Sequence, residues 1–497
     1  MKKGRITQIF IFFTILLSFF QISVQINQDR NSYGLFQPKI SEGPIDIFDM
    51  GEILNNNTLQ PIIISNITIT INNTDIQELK VNIYSSTWFG QDIYNTMTIY
   101  IPEDIPQENW GKAAVLLQGG TVQLDPTLDF IRDFGQNTAL SLKIPICLIT
   151  SPINPSNYGY ASETELAVEF RKIMLLDNNL LREIAYPLAI KQMRAMTYMT
   201  TLDIAKNPIN FITGGSSKRG LAQWIVASVD NRVIGFLSSA YAAPDLLNYW
   251  ELVENNWGGE SPLGDAAESR EWLLTPVGMT YQEYFDPYQF SDTIDVPFIL
   301  MVGTNDNYYP LEAANSLLLK LDNPKALELV PNYPHGMGSI KHLQNWRTII
   351  QASLIDRKFG EIINNYEINA TTSKIIINTN ITNSEEIKDI KCWFTINEDL
   401  DFRSANWDSR TMNYLGFNRF EIILDFTSKI KNYGAFFIEL IDEKNNTIAT
   451  TTSLVKIINL YEEMDTSIPA ILGYDYLIVI SLVPIISILY IYKRRSS

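Results

Sequence analysis

Two hydrophobic patterns alternate through the middle of the chain. Short apolar runs predict strands, and longer segments with apolar residues every three or four positions predict helices. The predicted strands are residues 95–101, 112–117, 144–150, 209–213, 233–239 and 296–302. The predicted helices are residues 163–176, 181–205, 217–229 and 311–321. Such alternation predicts an α/β fold, in which helices cover both faces of a mostly parallel sheet.

Segments of different pattern flank this central region, which we place at residues 87–357. Before it, residues 26–86 are rich in Asn and Ile, and the alternating run 61–71 predicts an edge strand. Within it, the aromatic-rich insertion 245–284 predicts a lid or substrate wall, or else packed surface helices. After it, alternating runs predict a small β-sandwich-like domain at residues 358–465, with strands at 374–378, 387–396, 420–426, 434–440 and 447–457.

The N-terminus has the features of a secretory signal. Lys2, Lys3 and Arg5 precede the apolar run 9–20. Its twelve residues reach about 18 Å as a helix, whereas the hydrocarbon core of a bilayer is about 30 Å thick. We therefore predict a signal peptide at residues 1–25, with a retained signal anchor as the alternative.

The C-terminus carries a longer apolar segment. Residues 476–492 contain no formal charge, have tyrosines at both ends and are followed by Lys493, Arg494 and Arg495. This pattern predicts a transmembrane helix at residues 474–492 and a cytoplasmic tail at 493–497. The alternatives are a buried C-terminal strand or helix and, less favoured, a lipid-anchor signal. We expect a single-pass type I protein of the secretory pathway, with an extracellular or lumenal ectodomain.

The amino-acid composition argues against a nucleic acid as a partner. The chain has 55 acidic and 38 basic residues and a net charge of -17, which would repel a nucleic acid backbone. The two cysteines, Cys147 and Cys392, predict buried thiols, with a bridge between them as the alternative. No N-x-[ST] sequon lies between residues 75 and 368, which indicates a compact centre with glycosylated flanks. The six predicted N-glycosylation sites are Asn56, Asn66, Asn72, Asn369, Asn380 and Asn445.

A candidate nucleophile lies where a buried strand runs into a helix. Gly215, Ser217 and Gly220 fit the pattern G-x-S-x-x-G, which is typical of a nucleophile elbow. Ser216, two residues after Gly214, is the alternative. Phosphate-binding turns have a similar composition, but the spacing of a P-loop is missing.

The chain offers two histidines as a base for this serine. His335 follows the apolar run 326–330 in a turn, whereas His342 lies at the start of a predicted helix. We predict that His335 is the base. Asp306, in the loop after strand 296–302, then gives the order Ser217, Asp306, His335 that α/β-hydrolases share. Weaker candidates for the acid are Asp286 and Asp295.

An oxyanion hole needs backbone donors close to the nucleophile. The pair Gly119 and Gly120 follows strand 112–117, and the amide of Lys218 follows the serine. We predict that these three residues form the hole. The sequence has too few His and Cys residues for a zinc site and carries neither an EF-hand loop nor a dinucleotide-binding fingerprint, so we predict no metal and no cofactor.

The serine segment, residues 213–233, resembles that of the PhoPQ-activated pathogenicity-related protein family. Further matching motifs follow in the family's order around Tyr186, Asp286, residues 303–310, His335 and residues 401–407. The resemblance covers residues 87–407 and implies an α/β-hydrolase core followed by a β-rich domain. It supports Ser217, Asp306 and His335 by position. Leu221 stands where the family tends to have tryptophan.

Two functions follow from these expectations. The first is a membrane-anchored serine hydrolase that acts on a small ester or peptide substrate. A peptidase that grips an amine would need an acidic pair, for which Glu163 and Glu165 are the candidates. The second is a non-catalytic cell-surface or secreted signalling protein of the autocrine proliferation repressor type, which would bind a cell-surface receptor. The complete triad favours the first.

Overall fold

The computed structural model describes most of the chain between residues 43 and 460. The described ranges are 43–71, 73–117, 125–150, 153–204, 207–321, 325–335, 340–355, 359–369, 374–384, 386–426, 433–444 and 447–460. The predicted signal peptide and transmembrane helix lie outside these ranges, as do Gly119, Gly120, Asn72 and Asn445. None of the helices within them has the length and hydropathy needed to cross a bilayer.

Nine of the eleven strands before residue 331 build the larger part of a 14-stranded sheet. In chain order they are β1 Ile62–Ile71, β2 Thr74–Trp88, β3 Gln91–Pro102, β4 Lys112–Leu117, β5 Ile146–Ile149, β6 Asn210–Ser216, β7 Val233–Ser239, β8 Glu260–Ser261, β9 Gly264–Asp265, β10 Phe298–Gly303 and β11 Lys325–Val330. The short pair β8 and β9 forms a separate hairpin. The others lie in the order β1-β2-β3-β5-β4-β6-β7-β10-β11.

The centre of this sheet is parallel. The six neighbouring strands β5, β4, β6, β7, β10 and β11 all run in one direction. They consist almost entirely of buried residues, as expected for strands covered on both faces. On one side β1, β2 and β3 continue the sheet antiparallel, and β1 is its outermost described strand. The predicted mostly parallel α/β core is confirmed.

Helices cover the two faces of the sheet. They are α1 Met50–Ile53, α2 Asp125–Leu142, α3 Glu163–Asp177, α4 Ala185–Met199, α5 Lys218–Val229, α6 Leu246–Trp257, α7 Ala266–Leu273, α8 Pro276–Phe285, α9 Pro287–Phe290, α10 Asn315–Lys320 and α11 Ile340–Ile355. The core on one face includes side chains of α3, α4 and α5, and the core on the other face includes side chains of α2 and α11. Ser217, the candidate nucleophile, directly follows β6 and thus lies at the end of a central strand whose two faces are covered by helices.

Two predicted helices are longer than the observed ones. The segment 181–205 begins with a 3₁₀ turn, and α4 starts only at Ala185, so that Pro187 falls in the first turn, where its missing N–H costs no helical bond. In the segment 311–321, residues 311–314 form turns before α10. In both places apolar periodicity extends through turns that also pack against the core.

Five of the nine C-terminal strands extend the same sheet, and the other four form a second one. They are β12 Glu361–Asn369, β13 Lys374–Thr382, β14 Glu386–Asn397, β15 Asp408–Thr411, β16 Asn413–Gly416, β17 Arg419–Asp425, β18 Tyr433–Lys444, β19 Thr447–Thr452 and β20 Lys456–Asn459. Strand β19 pairs with β11 at Leu327 and Thr452, and β18, β14 and β15 follow it. The predicted strand 447–457 is therefore two strands, β19 and β20.

A second sheet completes a sandwich with this extension. Its order is β12-β13-β17-β16, and its buried face packs against β14 and β18. Side chains such as Ile377, Ile422 and Ile438 fill the space between the layers. Cys392 belongs to this core and Cys147 to the central one, and both are free thiols, as predicted. The predicted β-rich region is confirmed, but one of its two layers is continuous with the parallel sheet.

Candidate active site

Ser217 occupies a sharp turn between strand β6 and helix α5. Its φ of 60° and ψ of -129° lie in a region that side-chain-bearing residues rarely adopt. The turn is held by its neighbours, because the Ser217 amide donates to Ser239 O at 2.7 Å and the Gly220 amide donates to Ser217 O at 2.7 Å. Strain of this kind, about 1–3 kcal/mol, concentrates at functional sites.

The flanking glycines allow strand and helix to approach each other. A Cβ on Gly215 would lie 2.6 Å from Arg219 O, and one on Gly220 would lie 2.9 Å from Ser239 O. Neither contact is tolerable, so both positions require glycine in this conformation. The G-x-S-x-x-G pattern thus has a steric cause at each end.

His335 connects Ser217 to Asp306. His335 Nε2 lies 2.9 Å from Ser217 Oγ, and His335 Nδ1 lies 2.8 Å from Asp306 Oδ2. Since an ionised carboxylate only accepts, the proton of a neutral imidazole is assigned to Nδ1, which leaves Nε2 to accept from the serine hydroxyl. Asp306 is 2% exposed, and its other oxygen accepts from the Tyr308 amide at 2.7 Å. The structure brings all three predicted residues together.

Two neighbouring parallel strands position the acid and the base. Asp306 follows β10 and His335 follows β11, so both loops leave the same edge of the sheet. The loops touch, because the Asn305 amide donates to Tyr333 O at 3.0 Å. A Cβ on Gly303 would lie 2.2 Å from that same oxygen. The close approach of the loops therefore depends on a glycine at the end of β10.

The alternative residues have other positions. Ser216 is the last residue of β6, and the hydroxyl that meets His335 belongs to Ser217. Asp286 is fully buried and accepts from the amides of Leu246 and Tyr288, which makes it a structural cap. Asp295 is exposed before β10. His342 lies in the first turn of α11, and its side chain is outside the described part.

A cavity of about 170 Å³ opens in front of Ser217 and His335. Its walls combine aliphatic side chains with five tyrosines, and the insertion 245–284 contributes Leu246, Tyr249, Leu263 and Tyr281. The five tyrosines of the lining are Tyr241, Tyr249, Tyr281, Tyr308 and Tyr309. A small tyrosine-walled cavity beside a strained serine has the form of a substrate pocket.

The model of the PhoPQ-activated pathogenicity-related protein family matches residues 60–403. The chain belongs to this family. The matched range contains Ser217, Asp306, His335 and every residue that lines the cavity. Among curated proteins, the chain is similar to autocrine proliferation repressor protein A of Dictyostelium discoideum, with 21% identity over 146 residues. That match spans 27% of this chain and 28% of the relative.

Solved structures similar to this chain include several esterases and a puromycin-hydrolyzing peptidase of Mycobacterium tuberculosis. Acetyl xylan esterase from Paenibacillus sp. R4 has a TM-score of 0.44 and 14% identity, over 64% of this chain and 97% of its own. Acetyl xylan esterase 1 from Thermoanaerobacterium has a TM-score of 0.39 and 12% identity, over 62% and 93%. A glucuronoyl esterase from Teredinibacter turnerae has a TM-score of 0.38 and 12% identity, over 60% and 79%.

The two residues after Ser217 form a charge cluster with Glu163. Glu163 accepts from Arg219 Nη2 at 2.6 Å, and Lys218 Nζ lies 3.3 Å from the same oxygen. Burial alone would raise the pKa of Glu163, but the charges of Arg219 and Lys218 outweigh it and hold the pKa below its ordinary value. The predicted acidic pair is not formed, because Glu165 caps the start of α3 through the amide of Ala161.

Backbone donors for an oxyanion are described on one side only. Lys218 is the first residue of α5, where helical amides have no partner within the helix. Its N–H therefore stays a candidate donor beside Ser217, while Gly119 and Gly120 lie outside the described ranges.

Sequence reasoning missed two asparagines that hold the loops of Asp306 and His335 in place. Asn332, three residues before His335, exchanges hydrogen bonds of 2.9 and 2.8 Å with the backbone of Trp407. Asn305, next to Asp306, donates to Ala405 O at 2.7 Å. Both partners lie in the loop after β14. The matching motif at residues 401–407 was the available signal, but it gave no indication of what this loop contacts.

Proposed function

We propose that this chain is a serine hydrolase in which Ser217 is the nucleophile, His335 the general base and acid, and Asp306 the group that orients the imidazole. The observation that carries the proposal is the hydrogen-bonded chain from Ser217 Oγ through His335 to Asp306. The strained conformation of Ser217 at the mouth of a cavity supports it.

The reaction follows from the positions of these atoms. Ser217 Oγ attacks the carbonyl carbon of the substrate while its proton passes to His335 Nε2. Asp306 stabilises the imidazolium, since its carboxylate faces Nδ1. The Lys218 amide beside Ser217 is the described candidate donor to the oxyanion, and the sequence predicts Gly119 and Gly120, outside the described ranges, as further donors. The imidazolium then protonates the leaving alcohol or amine, and water hydrolyses the acyl-enzyme by the same sequence.

An ester is the substrate class that the site favours. A peptidase acting from a free amino terminus would need carboxylates in the cavity to bind the ammonium. Glu163 is committed to Arg219 and Lys218, and Glu165 caps a helix. Within the described lining, the carboxylate that remains, Glu183, accepts the phenol proton of Tyr281 at 2.7 Å.

Covalent labelling tests the nucleophile. The full-length protein is treated with a fluorophosphonate probe, alongside Ser217→Ala, Ser216→Ala and His335→Ala. We expect labelling to be lost in Ser217→Ala and His335→Ala and kept in Ser216→Ala. Hydrolysis of a 4-nitrophenyl ester should fall by about 10³-fold or more in Ser217→Ala. A folded wild type that neither labels nor hydrolyses would end the hydrolase proposal.

The second candidate is a signalling protein that uses this fold without turnover. It is supported by the match to autocrine proliferation repressor protein A, which spans 28% of that protein. Failure to label, combined with specific binding of the ectodomain to cell surfaces, is the result that this candidate predicts.

We also propose that the protein enters the secretory pathway and is anchored by residues 474–492 with its catalytic part outside. The apolar segments and the basic residues next to them support this topology. Protease protection in microsomes, and retention in the membrane after alkaline extraction, test it against a variant truncated after residue 463. Release of both forms by alkaline extraction would contradict the anchor.

A further inference from the structure

One face of helix α3 forms a wall of the cavity. Thr164, Ala167, Val168 and Arg171 all line it, and their spacing of three, four and seven residues places them on the same side of the helix. The first three are small or apolar. Arg171 therefore brings a permanent positive charge into the space that Ser217 and His335 also line.

Arg171 has no counter-ion among the described residues. It makes no hydrogen bond or ion pair with any of them, and its guanidinium lies over the fully buried ring of Trp250, 5.1 Å from the ring centre. The other cation of the lining, Lys218, is paired with Glu163. Since the chain carries a net charge of -17, a half-buried arginine without a paired carboxylate at the pocket is unusual. We therefore expect an anionic group of a ligand to pair with it.

The remaining polar groups of the pocket do not form ion pairs with the guanidinium of Arg171. Glu183 is engaged by Tyr281 Oη at 2.7 Å and lies beyond ion-pair distance from Arg171. Asp306 is engaged by His335. Burial raises the pKa of Tyr281 and of Tyr309, and for both phenols the nearby charge of Arg171 acts in the opposite direction. Tyr281 and Tyr309 are thus neutral groups beside a guanidinium that forms no ion pair with a described carboxylate.

We infer that Arg171 binds a carboxylate of the substrate, so that this hydrolase prefers esters of acidic molecules. A guanidinium offers two parallel N–H donors that match the two oxygens of a carboxylate. The cavity of about 170 Å³ limits the substrate to a short chain between the carboxylate and the scissile carbonyl. The inference rests on the proposed function, since it concerns the substrate of the same site.

A pair of esters that differ only at one end tests the preference. The 4-nitrophenyl ester of hexanoic acid and the mono-4-nitrophenyl ester of adipic acid have the same chain length, and the terminal methyl of the first is a carboxylate in the second. For the wild type we expect kcat/KM to be about 10- to 100-fold higher for the adipate ester, as for a hydrogen bond between charged groups. In Arg171→Gln the ratio should fall to one or below, because Glu183 then repels the carboxylate.

Two further variants distinguish the planar geometry of the Arg171 guanidinium from its charge and from changes elsewhere on helix α3. Arg171→Lys keeps the charge and the packing over Trp250 but loses the planar fork, so an intermediate ratio is expected. Lys172→Gln changes the next residue of α3, whose ammonium lies 2.7 Å from Glu169 on the exposed side, and should leave the ratio unchanged. A wild type without preference for the adipate ester, or a preference that survives in Arg171→Gln, would overturn the inference.

Binding of free adipate provides a readout that does not need turnover. Adipate should bind the full-length Ser217→Ala protein in calorimetry and should not bind Ser217→Ala combined with Arg171→Gln. If the wild type fails to label with the fluorophosphonate and still binds adipate through Arg171, the proposed function fails and the carboxylate site stands. If the wild type labels and Ser217→Ala does not bind adipate, the carboxylate site fails and the hydrolase stands.

Discussion

Asn332 and Trp407 hold each other by two hydrogen bonds, from Asn332 Nδ2 to Trp407 O at 2.9 Å and from the Trp407 amide to Asn332 Oδ1 at 2.8 Å. Trp407 is 2% exposed and packs against Phe437 of β18. The loop that presents His335 is therefore anchored in the C-terminal strands. The β-rich region thus helps to position His335, the proposed general base.

Asn332→Gly tests this coupling. Glycine keeps the left-handed backbone of Asn332, whose φ is 56°, and removes only the side-chain bonds. We expect kcat for a 4-nitrophenyl ester to fall by about 10-fold with little change in KM, because a displaced imidazole affects the chemical step. Asn383→Gly is the matched control, since Asn383 is exposed in a distant turn with a φ of 59°. Equal effects of the two substitutions would refute the coupling.

Gly220→Ala should destabilise the elbow. The new methyl would lie 2.9 Å from Ser239 O and from Tyr241 Cβ, and helix α5 has to move away from β7 to accept it. We expect the free energy of unfolding in urea to decrease by about 1–3 kcal/mol, together with a loss of fluorophosphonate labelling. Gly51→Ala, in exposed helix α1, meets only the end of the Asp49 side chain at 3.2 Å and should be neutral or stabilising. Unchanged labelling in Gly220→Ala would show that the elbow tolerates the movement.

Lys191 should make the stability of the fold depend on pH. Burial lowers the pKa of this lysine to about 7, with the charge of Glu163 acting against the shift and that of Arg219 adding to it. Between about pH 7 and 10 the unfolded chain then binds more protons than the folded one, so the free energy of unfolding rises with pH, by at most about 1.4 kcal/mol per unit. Lys191→Met should remove this slope in urea titrations at pH 7.5, 8.5 and 9.5.

The control for that experiment is Lys172→Met, an exposed lysine whose removal should leave the slope as in the wild type. Parallel stability curves for the wild type and Lys191→Met would mean that Lys191 stays protonated in the folded state over this range, as it does in the unfolded chain.

Glycosylation should be found at the described sequons. Asn56, Asn66, Asn369 and Asn380 are all exposed. Expression in a eukaryotic secretory host should therefore give a protein whose mass falls on treatment with a peptide N-glycosidase, which hydrolyses the bond between asparagine and the glycan and leaves Asp at these positions. Detection of unmodified asparagine at all four sites would contradict entry into the secretory pathway.

The parts of the site that the sequence predicted are those with a local cause. Ser217 was found because a strand, two close-packed glycines and a helix follow one another within a dozen residues. His335 was found because the chain offers only two histidines and this one follows an apolar run in a turn, and Asp306 because it lies in a loop between Ser217 and His335 in chain order. The strands β4 and β7 were predicted to the residue, since a strand buried on both faces is a continuous apolar run.

The missed features depend on distant contacts. Arg171 is an ordinary helix residue until Trp250, 79 positions further along the chain, is placed beneath it. The continuation of the parallel sheet through β19 depends on the pairing of Leu327 with Thr452, which neither segment encodes alone. Helix α2 was overlooked because Gly135 weakens its pattern, yet a Cβ there would lie 2.8 Å from the ring of Tyr100. Packing selected glycine against its low helix propensity.

The exposed edge of strand β1 makes the solubility of the protein depend on whether the host glycosylates it. Its outer side has no described partner strand, and Ile62, Ile63, Ile64 and Ile67 are each at least half exposed. An open apolar edge is a template on which a second copy can add its own strand and start an aggregate. The sequon at Asn66 lies in the middle of this strand, so a glycan there would block such growth. Protein made in a host that does not glycosylate would keep Ser217, Asp306 and His335 in place and still be lost to self-association through this edge.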